Sequence, residues 1–477
     1  MRLPAPTLTS VTTINEDGSR RFIHPADVRG RFSTWRAIVG ILILAVYVGL
    51  PWITINGNPA VFLDLAHRQF HFFGLTFVTQ DLWVAFFLIS GLGFSLFYVT
   101  ALLGRIWCGW ACPQTVYLDV IRRIERWFEG DAPARARLDR MPWTGEKTLK
   151  RGGKNLVFLL FAALLAHVFL SYYVSPAGLS RMMTGAPDDN WGSFVFVFLM
   201  TGAMWFDFVW FREQFCIVLC PYGRLQSALI DTNTLVIGYD TIRGEPRGKK
   251  GTAGAGDCID CLACVAVCPT GIDIREGPQI GCITCSLCID ACDQVMERIG
   301  RPKKLIGYTT EADEALASEG LPIKSPMQRL FRPRTMIYLG VWAAIGVAML
   351  FSLGTRDRVV LDVAQSRNPV WVRLSDGQVR NSYAIKLRNM ENRPRRFMLS
   401  VRGVNSRLWD ETMQREAAAP TLTFEVPPDQ VAKRTVYLAA PELGPAEQPI
   451  LFTARPLDQE GGTAVGQARF ERPEQGQ

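Results

Sequence analysis

The chain has 477 residues, 48% of them hydrophobic and only 20% charged, with a mean hydropathy of +0.11. That balance leans towards a membrane protein, and the length suits two or three domains. The formal net charge of +8 calls for no nucleic acid, because the excess basic residues sit largely in loops flanking apolar runs.

Residues 1–33 form a polar tail of mixed charge in which His24 carries no readable role. Apolar runs follow at 34–53, 82–103, 155–174, 191–211 and 335–354. Each has about 20 residues, the length a helix needs to cross ~30 Å of hydrocarbon. Trp52, Trp83, Trp191, Trp210 and Trp342 lie near ends of these runs, and most of them fit an interfacial belt. No small-residue cleavage site follows the first run, so it reads as a retained anchor rather than a signal peptide. Residues 34–211 are thus expected to be a membrane domain of four helices, with a fifth at 335–354.

Charge sets the expected orientation. Residues 104–154 hold eleven Lys and Arg, whereas 54–81 hold only Arg68 and 176–190 only Arg181. Basic loops stay on the cytoplasmic side. The tail, the 104–154 loop and the 212–334 region are therefore expected in the cytoplasm, and everything after the fifth run outside. All twelve cysteines fall on the expected cytoplasmic side, where thiols stay reduced.

The first two cysteines, Cys108 and Cys112, stand in "RIWCGWACPQ" after the second run, and Cys216 and Cys220 stand in "EQFCIVLCPYG" after the fourth. Both motifs are aromatic-Cys-x3-Cys-Pro, led by Arg105 and Arg212. On one helix, positions four apart share a face with Cβ atoms ~5–6 Å apart. Each pair is then placed to share a metal or cluster, or to approach a disulfide after some distortion, and the two pairs to converge if the halves face each other. Pro113 and Pro221 loosen the preceding turn. The competing reading makes these cysteines small apolar packing residues; a redox or metal site is favoured.

Next, 238–256 is rich in Gly and basic residues and reads as a flexible lead-in; its "GAGDC" is no dinucleotide fingerprint, since it opens no helix after a strand. The core at 256–300 carries the other eight cysteines. Cys258, Cys261, Cys264 and Cys268 follow C-x2-C-x2-C-x3-C-Pro, and Cys282, Cys285, Cys288 and Cys292 repeat the spacing with Asp293 in place of proline. In this run three cysteines hold one cubane and the fourth ligates the other. Cys258, Cys261, Cys264 and Cys292 are therefore expected on one [4Fe–4S] cluster, and Cys282, Cys285, Cys288 and Cys268 on a second. Paired zinc knuckles would lack the third cysteine and the C-P terminus.

The tail at 355–477 changes character. Eight short β-branched runs, from "VVLDVAQ" to "AVGQARFE", are separated by turn residues at intervals of about ten. They predict an antiparallel sandwich of immunoglobulin-like architecture without the Cys…Trp…Cys signature. The expected fold is thus an α-helical integral membrane protein of five spans, with an inserted two-cluster ferredoxin-like domain and a C-terminal Ig-like β-sandwich.

Lesser candidates carry blander readings. His67 and His71, four apart in "AHRQFHFFG", have a spacing that suits copper but read as an amphipathic turn at the interface. His167 and Asp207 lie inside the third and fourth runs, where ionisable groups are costly. They suit a proton relay, a quinol contact or an interhelical hydrogen bond. Met182 and Met183 read as packing residues.

Five spans, two C-x3-C-P repeats, "CVAVCPTGIDIREGPQIGCITCSLCIDACDQVM" and an exported β-domain together resemble the FixG/CcoG (RdxA) family of cytochrome c oxidase accessory proteins. The resemblance runs over nearly the whole chain, from "HPADVRGRF" onward, and Thr270–Gly271–Ile272–Asp273–Ile274–Arg275 makes it specific. It implies an oxidoreductase that reduces Cu(II) to Cu(I) for maturation of a cbb3-type oxidase. It implies two [4Fe–4S] clusters on the eight cysteines and copper or redox chemistry at Cys108, Cys112, Cys216 and Cys220. Its implied partners are oxidase assembly factors and copper chaperones. No haem, flavin or nicotinamide motif appears, so the electron donor is another molecule. Two alternatives stand beside this: a quinol dehydrogenase or electron relay of the respiratory polyferredoxin type, and a non-redox assembly scaffold.

Overall fold

The computed structural model describes residues 22–66, 68–78, 81–249, 251–279, 281–322, 328, 331–355, 359–390, 393–427, 430–458 and 462–473. Two compact units divide it, Met1–Met349 and Leu350–Gln477. His67 and most of the N-terminal tail lie outside the described residues.

Five helices are long and apolar enough to cross a membrane: Arg31–Trp52, Trp83–Leu103, Gly145–Val174, Pro187–Phe211 and Pro333–Gly354. The third begins ten residues before its apolar run, because Thr144 caps it by accepting from the Lys147 amide at 3.3 Å. The fourth widens into a π-helical turn over Asp207–Phe211 and ends at Arg212, whose φ is 49°. The spans turn apolar side chains such as Ile41, Leu42, Ile89 and Phe198 outward, as a hydrocarbon solvent requires. His167 shares its Nδ1 with the carbonyl of Ala163 one turn back, and Asp207 accepts from Gln114 at 2.7 Å.

The segment read as an amphipathic turn is instead a small antiparallel sheet, Val61–Asp64, Gln69–Phe72 and Leu75–Val78. His71 lies in the middle strand, buried and stacked on Phe62 at 5.7 Å, with Nδ1 3.0 Å from Thr76 Oγ1. Strand pairing wins because Gly74, at φ +85°, closes a tight hairpin that a helical turn cannot.

The described part of the tail straps two regions together. Ala26 N donates to Ala266 O at 2.7 Å, and the amides of Phe32 and Ser33 donate to Asp290. On its other side Asp27 pairs with Arg126, and His24 lies 2.6 Å from Asp139.

The stretch read as a flexible lead-in starts in a strand. Val236–Tyr239 pairs antiparallel with Ile306–Thr309, and the short helix Thr241–Gly244 follows, capped by Asp240. The pairing clamps both ends of the cysteine-rich segment.

The C-terminal unit is a two-sheet sandwich. One sheet runs Arg407–Asp410, Val431–Pro441, Gln378–Asn389, Val359–Gln365, with Trp371–Arg373 beside Gln378–Asn389. The other runs Thr421–Val426, Arg395–Arg402, Glu447–Pro456, Ala464–Glu471. Alternation along Gln378–Asn389 buries Val379, Tyr383, Ile385 and Leu387. They meet Phe397, Phe452 and Phe470 from the opposite sheet in one core. The strand Arg407–Asp410 has no counterpart among the eight predicted runs, because four residues of "RLWD" carry no alternation that stands out.

Candidate functional site

The two cysteine runs fold as near copies. Asp260 and Leu262, on either side of Cys261, have φ of 54° and 57°. Thr284 and Ser286, on either side of Cys285, have φ of 55° and 65°. Left-handed backbone at four non-glycine positions is costly. It lets the amides of Val265, Thr284 and Leu287 donate to Cys264, Cys282 and Cys285, a setting that favours anionic sulfur. Helices Ala263–Ala266 and Leu287–Ile299 then begin, carrying Cys264 and Cys288, with Cys292 one turn further on.

Each copy encloses a small cavity. One is lined by Cys258, Cys261, Cys264 and Cys292, with Tyr239, Leu305 and Ile306. The other is lined by Cys268, Cys282, Cys285 and Cys288, with Cys264 between the two. Cys268 and Cys292 have thus crossed to the opposite run. Burial pushes the Cys264 thiol up to about 11 and those of Cys282 and Cys292 up to about 12, with neighbouring thiols adding to the rise. Such sets carry four negative charges only when a cationic iron core compensates them. Two four-thiol cavities with amides donating to their sulfurs fit cubanes, so these residues could hold one each.

The C-x3-C-P motifs depart from the single-helix reading. Cys108 lies in the short helix Ile106–Trp110, but Cys112 is extended, with φ −62° and ψ 126°, and caps the next helix, Pro113–Glu129. Cys216 lies in a π-helical turn, and Cys220 caps the helix Pro221–Leu229 in the same way. Proline forces this: the residue before it avoids the α region, and proline itself starts a helix well. The helix breaks between the cysteines, so the two thiols of a pair do not stack on one helix face. All four stand within electrostatic reach of one another. Among the described residues no three His, Cys, Asp or Glu side chains are drawn together as ligands of a single ion. The same holds for the two cavities above, and the quartet is a convergence of four thiols.

Burial pushes the Cys108 thiol up to about 11, a rise to which Cys112 adds and which Arg105 opposes; Cys112 and Cys216 are also raised, chiefly by burial. Cys108 Sγ donates to Gln226 Oε1 at 3.3 Å, and Thr115 Oγ1 donates to the Cys108 carbonyl at 2.5 Å. Arg105 reaches across to the carbonyl of Gly223, tying the first motif to the second. A buried network holds the second motif from behind: Arg212 donates to Glu125 at 2.5 Å, and Glu125 also meets Arg135 at 3.2 Å.

The quartet also abuts the second four-thiol cavity. Gly109, between Cys108 and Cys112, packs so tightly that a Cβ would lie 3.0 Å from both the Cα and the amide N of Cys285. Trp110 Nε1 donates to the carbonyl of Thr284 at 3.1 Å, and Arg36 Nε donates to that of Gly109 at 2.9 Å. Sequence reasoning missed Arg36 and Gln226, and named Arg105 only as the residue leading its motif. A cation at the edge of an apolar run was the available signal for Arg36. Gln226 offered none.

A family model described as a 4Fe-4S dicluster domain matches residues 211–311, and one described as a 4Fe-4S binding domain matches 83–131. A third, the IG-like fold at the C-terminal of FixG, matches 349–473. The chain is 42% identical to Protein RdxA of Cereibacter sphaeroides over 388 residues, covering 80% of this chain and 82% of that one. It is 38% identical to Nitrogen fixation protein FixG of Rhizobium meliloti over 461 residues, covering 89% and 87%. It is 38% identical to Protein RdxB of Cereibacter sphaeroides over 442 residues, covering 90% and 91%. With its five apolar helices, the chain is a membrane iron–sulfur protein with a redox, electron-transferring role.

Proposed function

This chain belongs to the FixG/RdxA family of membrane iron–sulfur proteins, and we propose that it is a cupric reductase serving the assembly of a cbb3-type cytochrome c oxidase. One observation carries the reading: the thiol quartet lies directly against the loop of the second cysteine set, joined through Gly109 and Trp110. Soft thiolates prefer Cu(I) to Cu(II). A four-thiol pocket therefore raises the potential of the Cu(II)/Cu(I) couple and favours the uptake of one electron by bound Cu(II).

In this reading Cys258, Cys261, Cys264 and Cys292 hold one [4Fe–4S] cluster, and Cys268, Cys282, Cys285 and Cys288 hold the other. Such clusters supply one-electron storage and transfer when bound. Copper is the substrate, held transiently by Cys108, Cys112, Cys216 and Cys220. The electron comes from a separate donor, and the Cu(I) passes to copper chaperones and oxidase assembly factors. Lys and Arg asymmetry supports a cytoplasmic cluster region and a periplasmic β-domain in the bacterial inner membrane.

A second reading rests on the match of a 4Fe-4S binding model to 83–131, which contains Cys108 and Cys112. There the quartet holds a third iron–sulfur group, and the chain relays electrons within the membrane. Anaerobic purification with iron and sulfide analysis separates the two. The cupric reductase carries about eight irons per chain and the relay about twelve. Reduced protein mixed with Cu(II) and a Cu(I)-specific chromophore should yield Cu(I). A variant with all four quartet cysteines changed to serine should not, with its iron content unchanged. Full Cu(I) production by that variant sinks the copper reading.

A further inference from the structure

The two cradles are built alike in backbone, with the same left-handed pattern around their central cysteines. Their charged surroundings differ. Beside the first set, Arg275 is held in a carboxylate embrace, by Asp273 at 2.6 Å and Asp260 at 2.5 Å, and Asp293 follows Cys292 directly. The nearest cation there is neutralised by its own partners.

The second set faces two buried arginines from the membrane domain. Arg36, at the start of the first span, is 6% exposed, and its Nε holds the carbonyl of Gly109, the residue packed on Cys285. Arg105 is 9% exposed and lines one cavity of about 160 Å³ together with Cys282, Thr284, Glu311 and Asp231, the last of which is already paired with Arg332 and Arg334. Both arginines thus reach the 282–285 loop from positions shut off from water. Asp119 partly offsets Arg36, pairing with it at 2.7 Å from a position one-third exposed.

We propose that Arg36 and Arg105 are positioning residues that give the second cysteine set the higher reduction potential of the two. A buried positive charge favours whichever redox state carries more negative charge, and the low local dielectric magnifies it. Among the described residues the first set has a single cation, Arg275, which lines its cavity but is paired with two carboxylates, and Asp293 adds a third negative charge beside it. The set beside the thiol quartet is thereby the one on which added charge rests. The inference depends on the two-cluster assignment but on nothing about copper.

The test is an anaerobic redox titration of the purified full-length protein, followed by EPR, with no copper added. Cys261→Ser identifies the signal of the first set. Arg36→Gln and Arg105→Gln should each lower the potential of the second signal and leave the first in place, while Arg36→Lys and Arg105→Lys keep it near the native value. Asp119→Asn, at a partly exposed site, should raise it. Should the Gln variants lose iron, the Lys and Asn variants still decide. Unmoved potentials in the Asn variant, equal shifts of both signals, or a native second signal lower than the first would overturn the proposal. A protein with fewer than about eight irons would instead overturn the cluster assignment.

Discussion

Gly109 and Cys285 touch backbone to backbone, 176 positions apart in the chain. The contact is available only to glycine: a side chain there meets the Cys285 amide and Cα at 3.0 Å and the carbonyl of Ile283 as well. The closeness of the thiol quartet to the second cysteine set therefore rests on a missing methyl group.

Gly109→Ala should force the first motif away from the 283–285 loop. Overpacking of this kind costs about 1–3 kcal/mol. The variant should fold and retain its iron, since Gly109 ligates nothing, but its rate of Cu(I) formation should fall several-fold, because electron transfer weakens as donor and acceptor move apart. Wild-type rates in Gly109→Ala would show that this contact is not the working connection.

Much of this arrangement was legible in the sequence, for physical reasons that differ between parts. The spans were readable because a hydrocarbon solvent demands about 20 apolar residues in a row, and the cysteine runs because their spacing is itself the coordination chemistry. The strands Val359–Gln365 and Ala464–Glu471 stand where alternation puts them. What stayed hidden depends on long-range packing. The turn reading of His71 failed because cross-strand pairing with Phe62 and Thr76 lies outside the local pattern. The helix reading of the C-x3-C-P motifs underweighted proline, which restrains the cysteine before it more than it loosens the preceding turn. Arg36 and Arg105 gain their roles only from the loop that folds against them.

Glu125 offers a test of the scaffold behind the quartet. Its side chain is 2% exposed, among Arg212 at 2.5 Å, Arg135 at 3.2 Å and Lys154 at 3.8 Å. Burial alone would raise this carboxyl, but Arg212 and then Lys154 and Arg135 outweigh it and hold it below the usual carboxylate range. Glu125→Gln leaves buried cations uncompensated, a loss of about 3–5 kcal/mol. The thermal midpoint of the detergent-solubilised protein should drop by several degrees, and Cu(I) formation should fall with it, because Arg212 anchors the second motif. An unchanged midpoint would mean that water reaches this network.

Topology is testable without any metal. Residues 355–477 hold no cysteine and follow the fifth apolar helix, while the Lys- and Arg-rich 104–154 loop precedes the third. A reporter active only in the periplasm should work when fused after Gln477 and fail when fused near Lys250. The reverse pattern would put the cluster region outside and remove the source of reduced thiols.

The quartet should bind copper in competition with protons. Burial pushes the Cys108 thiol up to about 11, Cys112 adds to the rise, and Arg105 and Gln226 work against it. Cys112 and Cys216 are raised too, mainly by burial. At neutral pH these groups hold their protons, and Cu(I) binds the thiolate, so each coordinated sulfur must release one. The sign follows: affinity rises with pH throughout the range below the raised thiol values. Every proton released makes the slope roughly tenfold per pH unit. An anaerobic competition against a chromogenic Cu(I) chelator between about pH 6.5 and 9, corrected for the chelator's own titration, measures it. Arg105→Gln removes a charge that favours the thiolate and should weaken binding at neutral pH while the rise with pH persists. A flat profile in the wild-type protein would show that these cysteines do not ligate copper as thiolates formed on binding.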